Sequence, residues 1–138
     1  RFRGAILGLM RLKRLSVAAS TFAMAQTAMT KAEHDAAKER IEMNYKNAKK
    51  ACDALKANAK DVCEEEAEGK EKVEKAELEH KYKPTADNAR KVEEVKADTA
   101  YEIAEEKCED QKGDAEKVCK ADAKAVHDRA IKTIRAKT

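Results

Sequence analysis

The four cysteines are the residues of this 138-residue sequence whose type and spacing point most clearly to a chemistry. Cys52 and Cys63 lie eleven residues apart, and the same separation divides Cys108 from Cys119. On one continuous helix that spacing covers three turns and separates the two sulfurs by about 16 Å, farther than a disulfide reaches. If the chain reverses midway, the cysteines of each pair face each other across the neck of a helical hairpin. We therefore predict two intramolecular disulfides, which join Cys52 to Cys63 and Cys108 to Cys119.

Signals for a chain reversal lie midway within each cysteine pair. Asn58, followed by Asp61, is typical of a helix N-cap and a first-turn acid. Gly113 can adopt the left-handed conformation that follows a helix end, and Asp114 can cap the helix that comes next. A bridge that closes a loop of about 12 residues contributes about 2–4 kcal/mol in the chain-entropy account.

The sequence alone leaves three other uses of the cysteines open. The first is a metal site, because an up-down-up-down bundle brings both cysteine-bearing turns to one end. Metal knuckles, however, favour C-x₂₋₄-C spacing, and no histidine lies near either pair. The second is redox activity, although C-x₁₀-C lacks the adjacency of a C-x-x-C motif. The third is crosslinking between chains by unbridged cysteines on continuous helices. Intramolecular bridges fit the spacing best, so we expect no metal and no cofactor.

The composition indicates which elements position the cysteines. Charged residues make up 41% of the chain and aromatic residues 4%, with four glycines and one proline. Sandwiches, barrels and doubly wound sheets need more β-branched and aromatic residues and more frequent turn signals. The sequence therefore predicts an all-α protein built from long helices rich in Ala, Lys and Glu.

An internal repeat with an offset of 56 residues organises these helices. Tyr45, Cys52 and Cys63 recur as Tyr101, Cys108 and Cys119. A period of this size fits one helical hairpin per repeat. Hairpin repeat 1 spans residues 26–83 and hairpin repeat 2 spans residues 84–138. Pro84 ends one helix, and Thr85 is a candidate cap for the next. Four helices are expected, near residues 31–56, 59–82, 86–112 and 115–136. They form either a four-helix bundle or paired antiparallel coiled coils.

The predicted helices have strong local support and a thin core. Seven Glu–Lys pairs have the favourable i,i+4 order, each worth about 0.2–0.5 kcal/mol: Glu42–Lys46, Glu66–Lys70, Glu68–Lys72, Glu71–Lys75, Glu77–Lys81, Glu79–Lys83 and Glu116–Lys120. The expected core residues, between which alanines pack, are Ile41, Tyr45, Leu55, Val62, Val73, Val92, Val95, Tyr101, Ile103, Val118, Val126, Ile131 and Ile134. Alanine seams bury little area, so the fold should need a covalent staple.

The other ionisable residues offer little catalytic chemistry. His34, His80 and His127 fall on three predicted helices and have no counterparts at the matching repeat positions. An acidic stretch within residues 98–110 can attract cations. Helical carboxylates without a turn cannot wrap a calcium ion, so the stretch predicts a solvated helix face. The sequence contains no nucleophile elbow, P-loop or H-E-x-x-H motif. We predict no catalytic residue and a protein that is not an enzyme.

The first 25 residues have the pattern of an export signal. A basic region, Met10–Arg14, precedes an apolar run, Leu15–Ala25, and Ala23–Ala25 supplies the small-x-small pattern of a signal peptidase site. The run of about 11 residues is too short to span a membrane. A mitochondrial transit peptide and an amphipathic membrane-surface anchor are the alternatives. We predict a signal peptide or N-terminal extension over residues 1–25. Residues 1–9 are either upstream read-through or an extension, with Met10 as the start of the leader.

The charge distribution excludes nucleic acid as the expected partner. Five of the 30 basic residues lie within residues 1–30, which hold no acidic residue, so 25 basic residues remain against 27 acidic ones. A body with this balance and few aromatic residues offers neither phosphate neutralisation nor base stacking.

The stretch Ala51–Cys63, with its second copy ending Ala115–Cys119, resembles small exported Ala/Lys/Glu-rich Cys-repeat proteins of Gram-negative bacteria. These uncharacterised proteins are often labelled TolA-like, because the helical stalk of the envelope protein TolA has the same composition. The resemblance covers about residues 31–125, implies a periplasmic location and supplies no functional residues.

The sequence thus predicts a non-enzymatic periplasmic or cell-envelope protein with a structural, stress-related or protein-interaction role. Its expected partner is another protein or its own copies, with no membrane span in the mature chain and no small-molecule substrate. A protein that binds metal through the four cysteines, and a hydrophilic stress protectant that is disordered when dilute, are the alternatives.

Overall fold

The computed structural model describes residues 28–137, which contain four α-helices and no strand. The helices are α1 (Lys31–Cys52), α2 (Asn58–Tyr82), α3 (Ala86–Cys108) and α4 (Asp114–Arg135). The prediction of an all-α protein with four long helices is confirmed. The predicted leader, residues 1–25, lies outside the described residues.

Threonine caps begin the first helix of each hairpin. Thr30 forms a capping box with Glu33: its hydroxyl accepts from the Glu33 backbone N–H at 3.2 Å, and the Glu33 carboxylate accepts from the Thr30 N–H at 2.8 Å. Thr85 accepts from the Asn88 N–H at 3.1 Å, as the sequence predicts. Each cap satisfies backbone donors that a helix start leaves without partners.

The second helix of each hairpin begins differently from the prediction. Asn58 and Asp114 are the first helical residues rather than caps, and the N-cap positions belong to Ala57 and Gly113, which make no side-chain cap bond. The expected helix ends near residues 56 and 112 are also wrong, because α1 and α3 end at their cysteines. Each bridge requires its two cysteines to face each other, so five residues form the turn and the helix stops earlier.

The four helices form an open antiparallel row. α2 packs against α1 and α3, and α3 packs against α2 and α4. Within residues 28–137, no Cα atoms of α1 and α4 lie within 8 Å of each other. The two hairpins therefore dock through α2 and α3, and α1 and α4 are edge helices with one neighbour each.

The core lies mainly along the α2–α3 contact and at the cysteines. The buried apolar side chains of the described residues are those of Cys52, Ala67, Leu78, Val92 and Cys108. The α2–α3 approach is close at Gly69, where an added Cβ would lie 3.2 Å from Thr99 Cβ and 3.3 Å from Ile103 Cδ1. Only a residue without a Cβ fits this contact without displacing its neighbours.

Several predicted core residues lie elsewhere. Leu55, Val118 and Val126 are 42%, 60% and 59% exposed, so their assignment to the core is wrong. Leu55 falls in the first turn, and the two valines lie on edge helix α4, which has α3 as its one neighbour among the described helices. Val92 is buried, and the others are half-buried: Ile41, Tyr45, Val62, Val73, Val95, Tyr101, Ile103, Ile131 and Ile134.

None of the described helices has an apolar stretch long enough to cross a membrane.

Candidate functional site

Disulfides close the neck of each hairpin. Cys52 is bonded to Cys63 with a Cα–Cα distance of 5.7 Å, and Cys108 is bonded to Cys119 with a Cα–Cα distance of 5.6 Å. These are the pairs that the sequence predicts. All four cysteines of the chain are used in these bonds. In this state no cysteine provides the thiolate that metal binding or redox attack requires.

Both bridges lie at the same end of the row. The Asn58 amide Nδ2, at the start of α2, donates to the Glu106 carbonyl of α3 at 2.8 Å. This bond ties the turn between α1 and α2 to the last turn of α3, two residues before Cys108. Asn58 therefore joins the two disulfide-closed necks through a contact between helices. The sequence predicts only a local role for Asn58, as the cap of its own helix.

A groove between α2 and α3 is acidic in the half nearer the disulfides. This half has a volume of about 370 Å³. It is lined by six glutamates and two lysines: Glu65, Glu68, Glu102, Glu105, Glu106, Glu109, Lys72 and Lys120. Burial, and then the neighbouring carboxylates, raise the pKa of Glu65 and of Glu106 above the ordinary glutamate value. The acidic stretch predicted as a solvated face thus lines one wall of a groove whose other wall, on α2, is also acidic.

The second half of the groove has an apolar floor and a mixed charged rim. Its volume is about 480 Å³. Ala76, Val95 and Thr99 lie between lysines and carboxylates of α2 and α3. Lys72 lies between the two halves, where its Nζ is 2.9 Å from Glu102 and 3.0 Å from Glu68. The hydrogen bond to Glu102 raises the pKa of Lys72, which keeps this ammonium charged.

One histidine in each hairpin joins its two helices, and the sequence alone does not show this. His34 Nε2 lies 2.7 Å from the Glu79 carboxylate, and its ring packs against Tyr82 at a centroid distance of 4.5 Å. In the second hairpin His127 Nε2 lies 2.6 Å from Asp98, and its ring packs 5.0 Å from Tyr101.

The two histidine contacts share a local pattern. Each histidine is followed directly by an aspartate, and each partner carboxylate precedes its tyrosine by three residues on the neighbouring helix. Hydrogen bonds from Glu79 and then Asp35 raise the pKa of His34 above its ordinary value of 6.5. The third histidine, His80, is half-buried, and its Nδ1 has no hydrogen-bond partner in the described part of the chain.

These groups support binding through charge and shape. Within residues 28–137, no group of three His, Cys, Asp or Glu side chains is arranged to hold a metal ion. The groove instead presents fixed ion pairs beside closely spaced carboxylates, which are groups able to form charge-assisted hydrogen bonds.

No protein-family model, curated protein or solved structure matches this chain.

Proposed function

We propose that this chain is a non-enzymatic helical interaction protein of the periplasm or cell envelope. Its two disulfide-closed hairpins would hold long charged helix faces in a fixed arrangement for contact with another protein. The observation that carries the proposal is the pairing of two disulfides with a very small core. Five apolar side chains are buried in the described residues, so most of the helix surface is available for contact.

The bonded cysteines support an oxidising location. Disulfides persist in secreted and periplasmic proteins and are rare where glutathione and thioredoxin keep thiols reduced. The leader pattern over residues 1–25 and the resemblance to exported Cys-repeat proteins are consistent with this location.

The location and bonding are tested by mass spectrometry of protein isolated from its native compartment. We expect no free thiol, recovery in the periplasmic fraction, and an intact mass about 4 Da below that of the reduced chain, because each disulfide removes two hydrogens. Recovery in the cytoplasm with four free thiols would contradict the proposed location.

The interaction role is tested by photo-crosslinking in cells. A photoreactive residue replaces Lys91 on the rim of the α2–α3 groove, and a matched one replaces Lys70, which is exposed on α2 but does not line the groove. We expect a discrete protein adduct from the Lys91 position and none from the Lys70 position. An absence of adducts from both positions would argue against an interaction role for the groove.

A further inference from the structure

Edge helix α4 has an uncovered side that differs from the rest of the surface. It is the one described helix without a buried residue, and two of its valines, Val118 and Val126, are strongly exposed. Its contact with α3 uses a row of half-buried residues: Cys119, Ala123, His127, Ala130 and Ile134. The valines are outside this row.

A second row runs along α4 beside the row that contacts α3. Arg129, at one end of this row, lines a shallow pocket together with Glu93 and Lys96 of α3. Ala115, Val118, Asp122, Ala125 and Arg129 follow one another at intervals of three and four residues, and all five are exposed. This is the spacing of a seam that packs against another helix. We call these five residues, together with Val126, the outer seam.

The outer seam contains two charges that lack partners. Within residues 28–137, the side chains of Asp122 and Arg129 form no ion pair or hydrogen bond, whereas Lys124 and Asp128, also on α4, pair with each other at 2.8 Å. Asp122 and Arg129 are two turns apart, about 10.5 Å along the helix axis, on either side of Ala125 and Val126.

This arrangement is complementary to itself. A twofold axis that crosses α4 near Ala125 places a second α4 antiparallel to the first. Asp122 of each copy then lies opposite Arg129 of the other, and the valines of both copies are brought into the contact. We propose that two copies of this chain pair through the outer seams of α4, as an antiparallel helix pair.

The other edge helix, α1, is less suited to pairing with itself. Its strongly exposed apolar residue is Met43, and the exposed residues nearby include Arg40, Lys46 and Lys50 against Glu39. Two such surfaces carry an excess of like charge and repel each other. Self-association through α4 names one partner for the proposed interaction role. This inference rests on that proposed function, including its periplasmic or cell-envelope location.

Sedimentation velocity of the oxidised full-length chain tests the pairing. We expect a reversible dimer whose fraction rises with protein concentration and falls with added salt. Asp122→Arg replaces both ion pairs by repulsive contacts. We expect the dissociation constant of the dimer to rise by about tenfold. The exchanged variant Asp122→Arg/Arg129→Asp should restore dimerisation, because it restores both opposite-charge contacts.

Met43→Lys is the matched control, since it changes an exposed apolar residue on the opposite edge helix and should leave dimerisation unchanged. All substituted positions are exposed, and circular dichroism verifies that helicity is kept. A chain that stays monomeric at every concentration, a charge exchange that fails to restore dimerisation, or a loss of dimer in Met43→Lys would each overturn the proposal. Sedimentation examines self-pairing alone and crosslinking at Lys91 examines the groove, so the two proposals can fail separately.

Discussion

Ala57 and Gly113 hold the same place in the two disulfide-closed turns, but only Gly113 suits its backbone. Both have positive φ, 52° at Ala57 and 65° at Gly113. With ψ near −146° and −131°, they lie in a region that residues with a Cβ rarely adopt. Such a conformation costs a residue other than glycine about 1–3 kcal/mol. The first turn is therefore strained at a position where the second is not.

Opposite substitutions at these two positions should have opposite effects. Ala57→Gly should raise the free energy of unfolding by about 1 kcal/mol, because the relieved strain exceeds the entropy that glycine adds to the unfolded chain. Gly113→Ala should lower it by about 1–2 kcal/mol. No atom lies within 4 Å of the added Cβ at Gly113, so the backbone alone accounts for the loss. Chemical denaturation of the oxidised chain measures both changes. A destabilised Ala57→Gly variant would refute the assignment of backbone strain to Ala57.

His34 should make the α1–α2 contact sensitive to pH. Its pKa is raised in the folded chain, chiefly by Glu79 and then by Asp35, so the charged form stabilises the fold. This stabilisation is complete below the unfolded pKa near 6.5 and is lost as the pH rises through the higher folded pKa. We expect an NMR titration of the imidazole to give a midpoint above 6.5 that falls toward 6.5 in Glu79→Gln.

Thermal melting of His34→Gln provides the control for this titration. The melting temperature of the native chain should fall between slightly acidic and slightly alkaline pH. The fall should be smaller in His34→Gln. The opposite trend, or an unchanged titration midpoint in Glu79→Gln, would rule out the Glu79 contact as the cause.

At the scale of the helices, contacts between elements compete with local ones. Three of the seven predicted i,i+4 pairs form, namely Glu68–Lys72, Glu71–Lys75 and Glu116–Lys120. Glu66 and Glu77 pair instead with Lys107 and Lys96 of α3, at 2.7 and 2.9 Å. Spacing along the chain shows which lysines a glutamate can reach within its helix, but not which cations the neighbouring helix offers.

The close approach of α2 and α3 depends on Gly69. Gly69→Ala gains about 1 kcal/mol of helix propensity, but its Cβ would crowd Thr99 and Ile103, so we expect a nearly neutral change. Gly69→Val should cost about 1–3 kcal/mol, because the larger side chain pushes the helices apart. Chemical denaturation midpoints measure the stability of both variants.

The adjacent residue supplies the matched control for Gly69→Val. Lys70 lies on an exposed part of the same helix, so Lys70→Val introduces the same side chain without crowding α3 and should be nearly neutral. Equal losses of stability at the two positions would indicate that β-branching alone is responsible, rather than the close approach of the helices.

For the whole molecule, the open row makes stability uneven. The inner helices α2 and α3 each have two neighbouring helices, whereas the edge helices α1 and α4 each have one. Each edge helix is also joined to its inner neighbour by one disulfide. The buried Leu78 and Val92 belong to the inner pair, and α4 buries no residue. Local opening therefore requires least free energy at the edges.

Reduction should release the edge helices first. With both disulfides reduced, the loss of each closed loop removes about 2–4 kcal/mol. We expect hydrogen exchange in α4 to lose protection first, then α1, while α2 and α3 keep theirs longest. Exchange followed by mass spectrometry, with and without a thiol reductant, measures this order. Simultaneous loss of protection in all four helices would show instead that the row unfolds as one unit.

The sequence by itself determined the helical class, the approximate positions of the four helices and the cysteine pairs. These depend on composition, capping residues and the distance that a disulfide can bridge, which are all local properties of the chain. Only the tertiary structure decided that the row stays open, that Val118 and Val126 are exposed, and that His34 and Asn58 bind across helices. Those outcomes depend on which helix lies beside which face, and a repeating pattern of alanine and charge leaves several such arrangements equally compatible with each helix alone.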